Sequence, residues 1–565
     1  MKKILLFAFG LGILSIFNLQ AQNRLLYKSF NIGGGDTSRT EVLQLGTQIK
    51  IQSADKTASN PIPGSAQSFT YLDYALDTAI SQLYYSANEQ YYNGYSIKSG
   101  NEYKEEGTEK VNGYNCKKYS IVLFSNKIEL WFTNDLKFSA SPTSSFADIP
   151  GVLVKYQRNG SATMQLASVK KDKNIKSIFP QTFGEQKSGR ELNQLRKEKL
   201  ILTTPIFNED QICFNPKLEK NKAKVIDYDS VYHFANGTVI LKKVKMDLLP
   251  EHYQIFAECT EYSNGDAYDR TGSIFIIPAT QPMNMVRALI DSIGVLPYLT
   301  DKEGSHYQGI VKTDQYTPVV ELIRFFTPFG VRHYNQYRSL DGQEWRDEVY
   351  YKQEITELRP LLSGDVYICA FIGNYDGGGH KLSLTLKAYP QAEEWAFDDE
   401  HEYQVESLFN TCNVMEMAGQ NYGRLFGTDS LTVTFTVPEN TTDLRLRYIT
   451  TGHGGWDTGD EFVPKANNIL IDGQLAFIYT PWRCDCGTYR TSNPASGNFW
   501  NGTSSSDYSR SGWCPGTATQ PTYFDLSYLK PGTHTMTIAI PQGEPEGGSF
   551  SHWSVSGVLI KTVEK

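Results

Sequence analysis

The sequence predicts a mainly β protein assembled from packed sheets. Three observations carry this. Aromatic residues make up 13% of the 565-residue chain, led by 35 Tyr, and such side chains pack well on a pleated surface. Short runs in which polar and apolar residues alternate recur from about residue 201 onward, the mark of sheets wet on one face. Gly, Pro and Asn turns separate those runs at strand-sized intervals, as in β-sandwiches.

The runs are Gly237-Thr-Val-Ile-Leu, Ser273-Ile-Phe-Ile-Ile, Leu382-Ser-Leu-Thr-Leu, Leu431-Thr-Val-Thr-Phe-Thr-Val, Leu444-Arg-Leu-Arg-Tyr and Thr535-Met-Thr-Ile-Ala-Ile. Upstream, Ser120-Ile-Val-Leu-Phe and Lys127-Ile-Glu-Leu-Trp-Phe flank Ser125-Asn126 as the arms of a hairpin flank its turn. The charged stretch 185–199 reads as a solvated helix or linker. The expected organisation is a leader at 1–21, a strand-rich α+β accessory domain at 22–200, and sandwiches at 201–388 and 389–565, jointed near Tyr389-Pro390-Gln391-Ala392.

The first residues, MKKILLFAFGLGILSIFNLQAQ, combine two lysines, an apolar run and Ala21 at a cut site. This is the pattern of a cleavable secretory signal. A secreted or periplasmic bacterial protein follows, with no membrane span in the mature chain. Export permits disulfides. Of the eight cysteines, the expected bridge joins Cys484 or Cys486 to Cys514, around a loop poor in core residues. A net charge of −8 is unsuited to neutralising phosphates, so nucleic acid is not an expected partner. HExxH, P-loop and GxSxG motifs are absent and the nine histidines are scattered, so neither metal nor cofactor is expected.

Two segments combine the residue types of a sugar site. Asp266-Ala267-Tyr268-Asp269-Arg270 places two acids and a cation at the mouth of the strand Ser273–Ile277. Taken alone, an Asp-Arg loop is more often structural. The second segment runs through Thr451-Gly452-His453-Gly-Gly-Trp456-Asp457 and Asp460-Glu461-Phe462, and is answered by Arg510-Ser511-Gly512-Trp513-Cys514-Pro515-Gly516. Trp stacks on sugar rings, while carboxylates and Arg bond hydroxyls. Its bland counterpart is a solvated acidic loop beside a buried Trp. Asp376-Gly-Gly-Gly-His380 reads as a flexible loop.

Together the segments resemble the peptide:N-glycosidase F family. Asp266–Arg270, Arg324-Phe-Phe-Thr-Pro-Phe329, Leu361-Leu-Ser-Gly364, Gly452-His453, Glu461-Phe462 before Ile469-Leu-Ile471, and Arg510–Gly516 keep the family's order over roughly 255–560. The resemblance implies two eight-stranded jelly rolls side by side with the site between them. It implies an amidase that splits Asn from the innermost GlcNAc of N-glycans on peptides and glycoproteins, acting as a monomer. It puts Asp269, Glu461 and Arg270 in the catalytic set, and Asp266, His453, Arg510, Trp513 and Tyr375 around the substrate. In that scheme Asp269 activates water and Arg270 keeps it ionised and binds the oxyanion. Glu461 and His453 hold the sugar, Trp513 walls the pocket and Arg510 orders the acids.

Two departures accompany the resemblance. Gly373 and Tyr375 stand where the family has a Glu and a Trp, with Asp376 the nearest acid. The expectation is open space beside Gly373, enough to admit a core fucose on the innermost GlcNAc. The first domain lies outside the resemblance, and its Val111–Lys118, Leu130–Thr133 and Ile149–Val154 segments resemble instead a family of exported bacterial proteins named for a Gly-Leu-Pro-Gly-Leu-Ile motif. A glycosidase with paired carboxylates and a non-catalytic glycan-binding protein are the alternatives. Only the amidase converts Asn to Asp.

Overall fold

The computed structural model describes residues 22–31, 36–55, 64–220, 225–250, 253–330, 341–342, 344–390, 401–421, 423–454, 459–494, 504–545 and 551–564. The leader at 1–21, residues 391–392 of the proposed joint, and Trp456-Asp457 lie outside them. The chain divides into two compact units, Met1–Ile201 and Leu202–Lys565.

The first unit is one twelve-stranded sheet. Two up-and-down runs meet where strand Gln22–Asn31 pairs with Ala162–Lys171, and all neighbours are antiparallel except the short edge strand Glu185–Gln186. The expected hairpin is strands Tyr114–Leu123 and Asn126–Thr133. The turn lies one residue earlier than expected: Asn126 already pairs with Leu123, and Phe124 and Ser125 form the turn, both with φ positive at 47° and 65°, the backbone twist that a tight hairpin requires. The charged stretch holds helix Gly189–Glu198, opened by a reciprocal Ser188–Glu191 capping box.

The second unit holds two sandwiches. In the first, one sheet orders strands Leu202–Ile212, His380–Pro390, Tyr253–Ser263 and Val349–Glu354. Its partner sheet orders Val231–Phe234, Val239–Met246, Gly364–Ile372, Thr271–Ile277 and Val320–Phe326. The second sandwich pairs the sheet His401–Asn410, His552–Glu564, Thr441–His453, Thr522–Asp525 with the sheet Leu431–Val437, Gly532–Ala539, Asn467–Ile471, Gln474–Tyr479. Leu431–Val437 alternates buried and exposed at every residue, so its sequence periodicity is a direct image of its two faces. The site loops leave the ends of five strands: Tyr253–Ser263, Gly364–Ile372, His401–Asn410, Thr441–His453 and Gln474–Tyr479.

The sandwiches are sewn together. Strand Thr517–Thr519 comes from the second half of the unit yet pairs with Val320–Phe326 of the first. Beside it, Glu321 and Arg324 form an ion pair with both side chains 0% exposed. Arg324 also donates to the Ser554 carbonyl and the Thr451 hydroxyl, while Glu321 accepts from Ser273 and Asn410. The bridge of the expected loop is Cys486–Cys514, leaving Cys484 exposed and unbridged.

Removing one member of a buried pair strands the other charge, at a cost of about 3–5 kcal/mol. Arg324→Met is therefore expected to lower the urea midpoint strongly, and Arg324→Met combined with Glu321→Leu to recover part of the loss. A single variant as stable as the native protein would show that the pair does not hold the seam.

Candidate functional site

Five loops converge at the seam. The Asp266–Arg270 loop enters strand Thr271–Ile277, anchored by Thr327: its Oγ accepts from the Arg270 N–H at 2.7 Å and donates to the Tyr268 carbonyl at 2.8 Å. From the second sandwich, Ser511 N–H bonds the Glu461 carbonyl at 2.9 Å, and Gly452 N–H bonds the Ser511 carbonyl at 3.0 Å. Gly512 sits at φ +84°, and a Cβ there would lie 2.5 Å from the Thr450 carbonyl oxygen. Only glycine fits that step, which lets Arg510 turn inward.

Arg510 is fully buried and joins acids from both sandwiches. Its Nε donates to Glu461 at 2.8 Å and its terminal nitrogen to Asp269 at 3.4 Å. Ser505 fixes the guanidinium through its carbonyl at 2.7 Å and its hydroxyl at 3.0 Å, and the Trp513 ring lies 4.7 Å from it. Both acids keep a small exposed face, 16% for Asp269 and 18% for Glu461. A pocket of about 150 Å³ opens beside Asp269 and Arg270, bounded also by Gly373, Tyr375, Glu416 and His552.

The two aspartates of the loop have opposite environments. The Asp269 carboxyl is pushed up to about 7: burial is the largest cause, Arg510 pulls the other way, and the Glu461 charge adds to the rise. Asp266 is 3% exposed. Burial would raise its carboxyl, but His380 and Arg270 more than offset this and hold it below its ordinary value. Arg270 grips it with two bonds, 2.6 and 3.3 Å. His380 stands 3.6 Å away on the other side and bonds Glu261 at 2.8 Å. Burial alone would lower the His380 imidazole, yet these two acids raise it to about 9 and keep it charged at neutral pH.

Several expected roles change. Arg270 binds Asp266, not Asp269; the cation bonded to Asp269 is Arg510. Asp266 is enclosed behind Arg270 and orients it rather than touching substrate. Trp513, at 2% exposure, stacks on Phe326 with centroids 4.2 Å apart and donates to the Gly452 carbonyl. A ring so enclosed cannot stack on a sugar; it supports Arg510 from below. His453 is likewise buried between Phe326, Trp513 and His552, and burial lowers its imidazole well below the ordinary range. It is a neutral packing group bonded to Thr451. Tyr375 is 65% exposed, with Arg270 5.8 Å from its ring, and can meet a ligand.

The space expected beside Gly373 is filled: a Cβ there would lie 2.5 Å from the Glu416 carboxylate. The argument for admitting a core fucose loses its premise. Asp376 does not fill the gap, because its carboxylate accepts from Gly378 and Gly379 N–H at 2.7 and 2.8 Å. Sequence reading missed Glu416, which has no motif around it, and the Glu261–His380–Asp266 relay, signalled only by the His that ends Asp376–His380. Among the described residues no cluster of three or more His, Cys, Asp or Glu is placed to hold a metal ion.

An unfolded Asp titrates near 3.9, so the folded protein holds the Asp269 proton more tightly. Asp269 therefore destabilises the fold increasingly as pH rises from about 4 through about 7. Asp269→Asn is expected to be more stable than the native protein at pH 8, by up to about 4 kcal/mol, with no such gain near pH 4. Equal stability at pH 8 would contradict the raised pKa.

Three family models match the chain: "Peptide-N-glycosidase F, N terminal" over residues 203–388, "Peptide-N-glycosidase F, C terminal" over 421–560, and "N-glycanase peptide, N-terminal domain" over 81–195. The last falls on the first domain and corrects the expectation that this domain lies outside the family resemblance. A search of curated proteins returned no match. Among solved structures, PNGF-II in its C2 crystal form is 40% identical, with 96% of this chain and 98% of that chain covered and a TM-score of 0.76. Its P21 form is 39% identical, with 96% and 99% covered and a TM-score of 0.77. PNGase F, a glycosylasparaginase from Flavobacterium meningosepticum, is 16% identical over 65% of this chain and 96% of its own, with a TM-score of 0.43. On the near-complete match at 40% identity and the family models along its length, the chain belongs to the peptide-N-glycosidase F family.

Proposed function

We propose that this protein is an exported amidase that hydrolyses the bond between asparagine and the innermost GlcNAc of N-linked glycans, releasing the whole glycan. The observation that carries this reading is Arg510 shared between Asp269 of one sandwich and Glu461 of the other, with Arg270 alongside. Such an arrangement needs a substrate lying across the seam. The family membership favours this location, and two larger cavities, one of about 530 Å³ lined by Tyr350, Trp482 and Arg483 and one of about 560 Å³ lined by Glu357, Tyr403 and Tyr523, contain neither Asp269 nor Glu461. The Cys486–Cys514 bridge supports export.

In this mechanism Asp269 takes a proton from a water, whose oxygen attacks the asparagine side-chain carbonyl. A carboxyl near 7 is half-ionised at neutral pH and strong enough as a base to accept that proton. Arg270, steadied by Asp266 and His380, stabilises the charge that develops on the carbonyl oxygen. The C–N bond then breaks, the proton passes to nitrogen, and the products are an Asp-containing peptide and a glycosylamine. Glu461, held by Arg510, accepts a hydrogen bond from the sugar, and the exposed Tyr375 ring borders it.

Incubation with an N-glycopeptide, followed by mass spectrometry, is expected to show full glycan loss with conversion of Asn to Asp. Cleavage within the glycan, or binding without cleavage, would overturn the reading. Asp269→Asn is expected to abolish turnover, and kcat/KM of the native enzyme to rise with pH through about 7. Glu461→Gln should lower kcat/KM about 10- to 100-fold, the worth of one charged hydrogen bond. A native-like rate in either variant would displace that residue from the reaction.

The first unit assists docking of large substrates in this reading. A fragment beginning at residue 202 should keep activity on short glycopeptides and lose it on folded glycoproteins. Equal retention on both would show that the first unit has no such role.

A further inference from the structure

We propose that Glu416 supplies, from the second sandwich, the carboxylate that is lacking at Gly373, and that it contacts substrate at the GlcNAc–Asn junction; this rests on the amidase reading above. Its position is the main argument. The Glu416 Oε1 atom lies 2.5 Å from where a Cβ at residue 373 would sit. A side chain at 373 and an acid at 416 therefore compete for one place. Glu416 also borders the same 150 Å³ pocket as Asp269 and Arg270.

The segment is built to present it there. After strand His401–Asn410, the chain sends Cys412, Val414 and Met415 into the core of the first sandwich. The Glu416–Ala418 turn follows, closed by Gly419 at φ 89°. The Gln420 side chain holds the Met415 N–H at 3.0 Å, and Asn236 of the first sandwich holds the Met417 carbonyl at 2.6 Å. Glu416 is thus half-buried on a turn fixed from both sides.

The chemistry fits the linkage end of the substrate. An ionised carboxylate only accepts hydrogen bonds, and the GlcNAc–Asn junction offers two N–H donors, one on the scissile amide and one on the acetamido arm. Neighbouring alternatives fail. Asp376 is committed to its own loop. Tyr375 is a phenol whose pKa is raised by burial first and by the Glu416 charge second, so it carries no negative charge to offer.

The test measures kcat/KM on an N-glycopeptide for the full-length native protein, Glu416→Ala, Glu416→Gln, Gly373→Glu, and Gly373→Glu combined with Glu416→Ala. Removing the acid is expected to cost about 10- to 100-fold in both Glu416 variants. Gly373→Glu alone should be impaired by crowding. The combined variant should regain about tenfold or more over Glu416→Ala, a rescue that a merely structural glutamate would not give. If Glu416→Ala melts early, the isosteric Glu416→Gln decides. Glu416→Gln within about threefold of native, or a folded combined variant no better than Glu416→Ala, would overturn the proposal. A native protein that releases no glycan would instead overturn the amidase reading itself.

Discussion

The buried Glu321–Arg324 pair is the constraint on which the site depends. Both residues lie on strand Val320–Phe326 of the first sandwich, but Arg324 spends its remaining donors on Thr451 and Ser554 of the second. Two fully buried charges tolerate no slippage, because each displaced hydrogen bond leaves a charge without compensation. Arg447 adds a further tie, donating to the Glu321 carbonyl at 3.0 Å. The same strand carries Phe326, on which Trp513 stacks, and Trp513 in turn lies under Arg510. A chain of contacts thus runs from the seam to the guanidinium that joins Asp269 and Glu461. Groups that are to act together from separate bodies need support of this kind, since about 0.5 Å of looseness is enough to spoil their geometry.

Within that frame, charge is distributed so that neighbouring carboxyls behave differently. Asp266 has a cation on each side and stays ionised. Asp269, three residues on, shares its one bonded guanidinium with Glu461, and burial prevails. Environments that push two acids apart are how one loop provides both a fixed anchor and a group able to exchange a proton near neutrality. His380 belongs to the anchor: it is charged, enclosed and away from the pocket.

Much of the fold was legible because period-two alternation is a direct image of a half-buried strand, as Leu431–Val437 shows. The hairpin around Ser125 was legible from the β-type runs on either side of it, whereas its two positive-φ residues carry no Gly or Asn signal. The set of residues near the site was legible through motif order; their roles were not. Arg270 adjoins Asp269 in sequence, yet the loop bends at Tyr268, where the Arg270 N–H returns to the Tyr268 carbonyl, and the Arg270 side chain meets Asp266 instead. Trp513 in a Gly-rich motif reads alike whether it walls a cleft or underlies it, and only burial separates the two. For the bridge, Cys484 and Cys486 are equivalent in sequence, and the 3₁₀ turn Cys486–Ser492 is what points the second of them inward.

Glu416 shows why the last site feature was hidden. A residue-by-residue reading asks what stands at position 373, but a substrate meets carboxylate oxygens in space, whichever strand carries them. The turn that holds Glu416 follows a strand of the second sandwich, while its apolar residues Cys412, Val414 and Met415 complete the core of the first. That core demands only hydrophobic side chains of suitable size, so it anchors the turn without dictating the polar residue that follows. Gly373, free of a Cβ, leaves the place open. A site between two sandwiches can accordingly draw an acid from either wall, provided the other wall stays bare at that point.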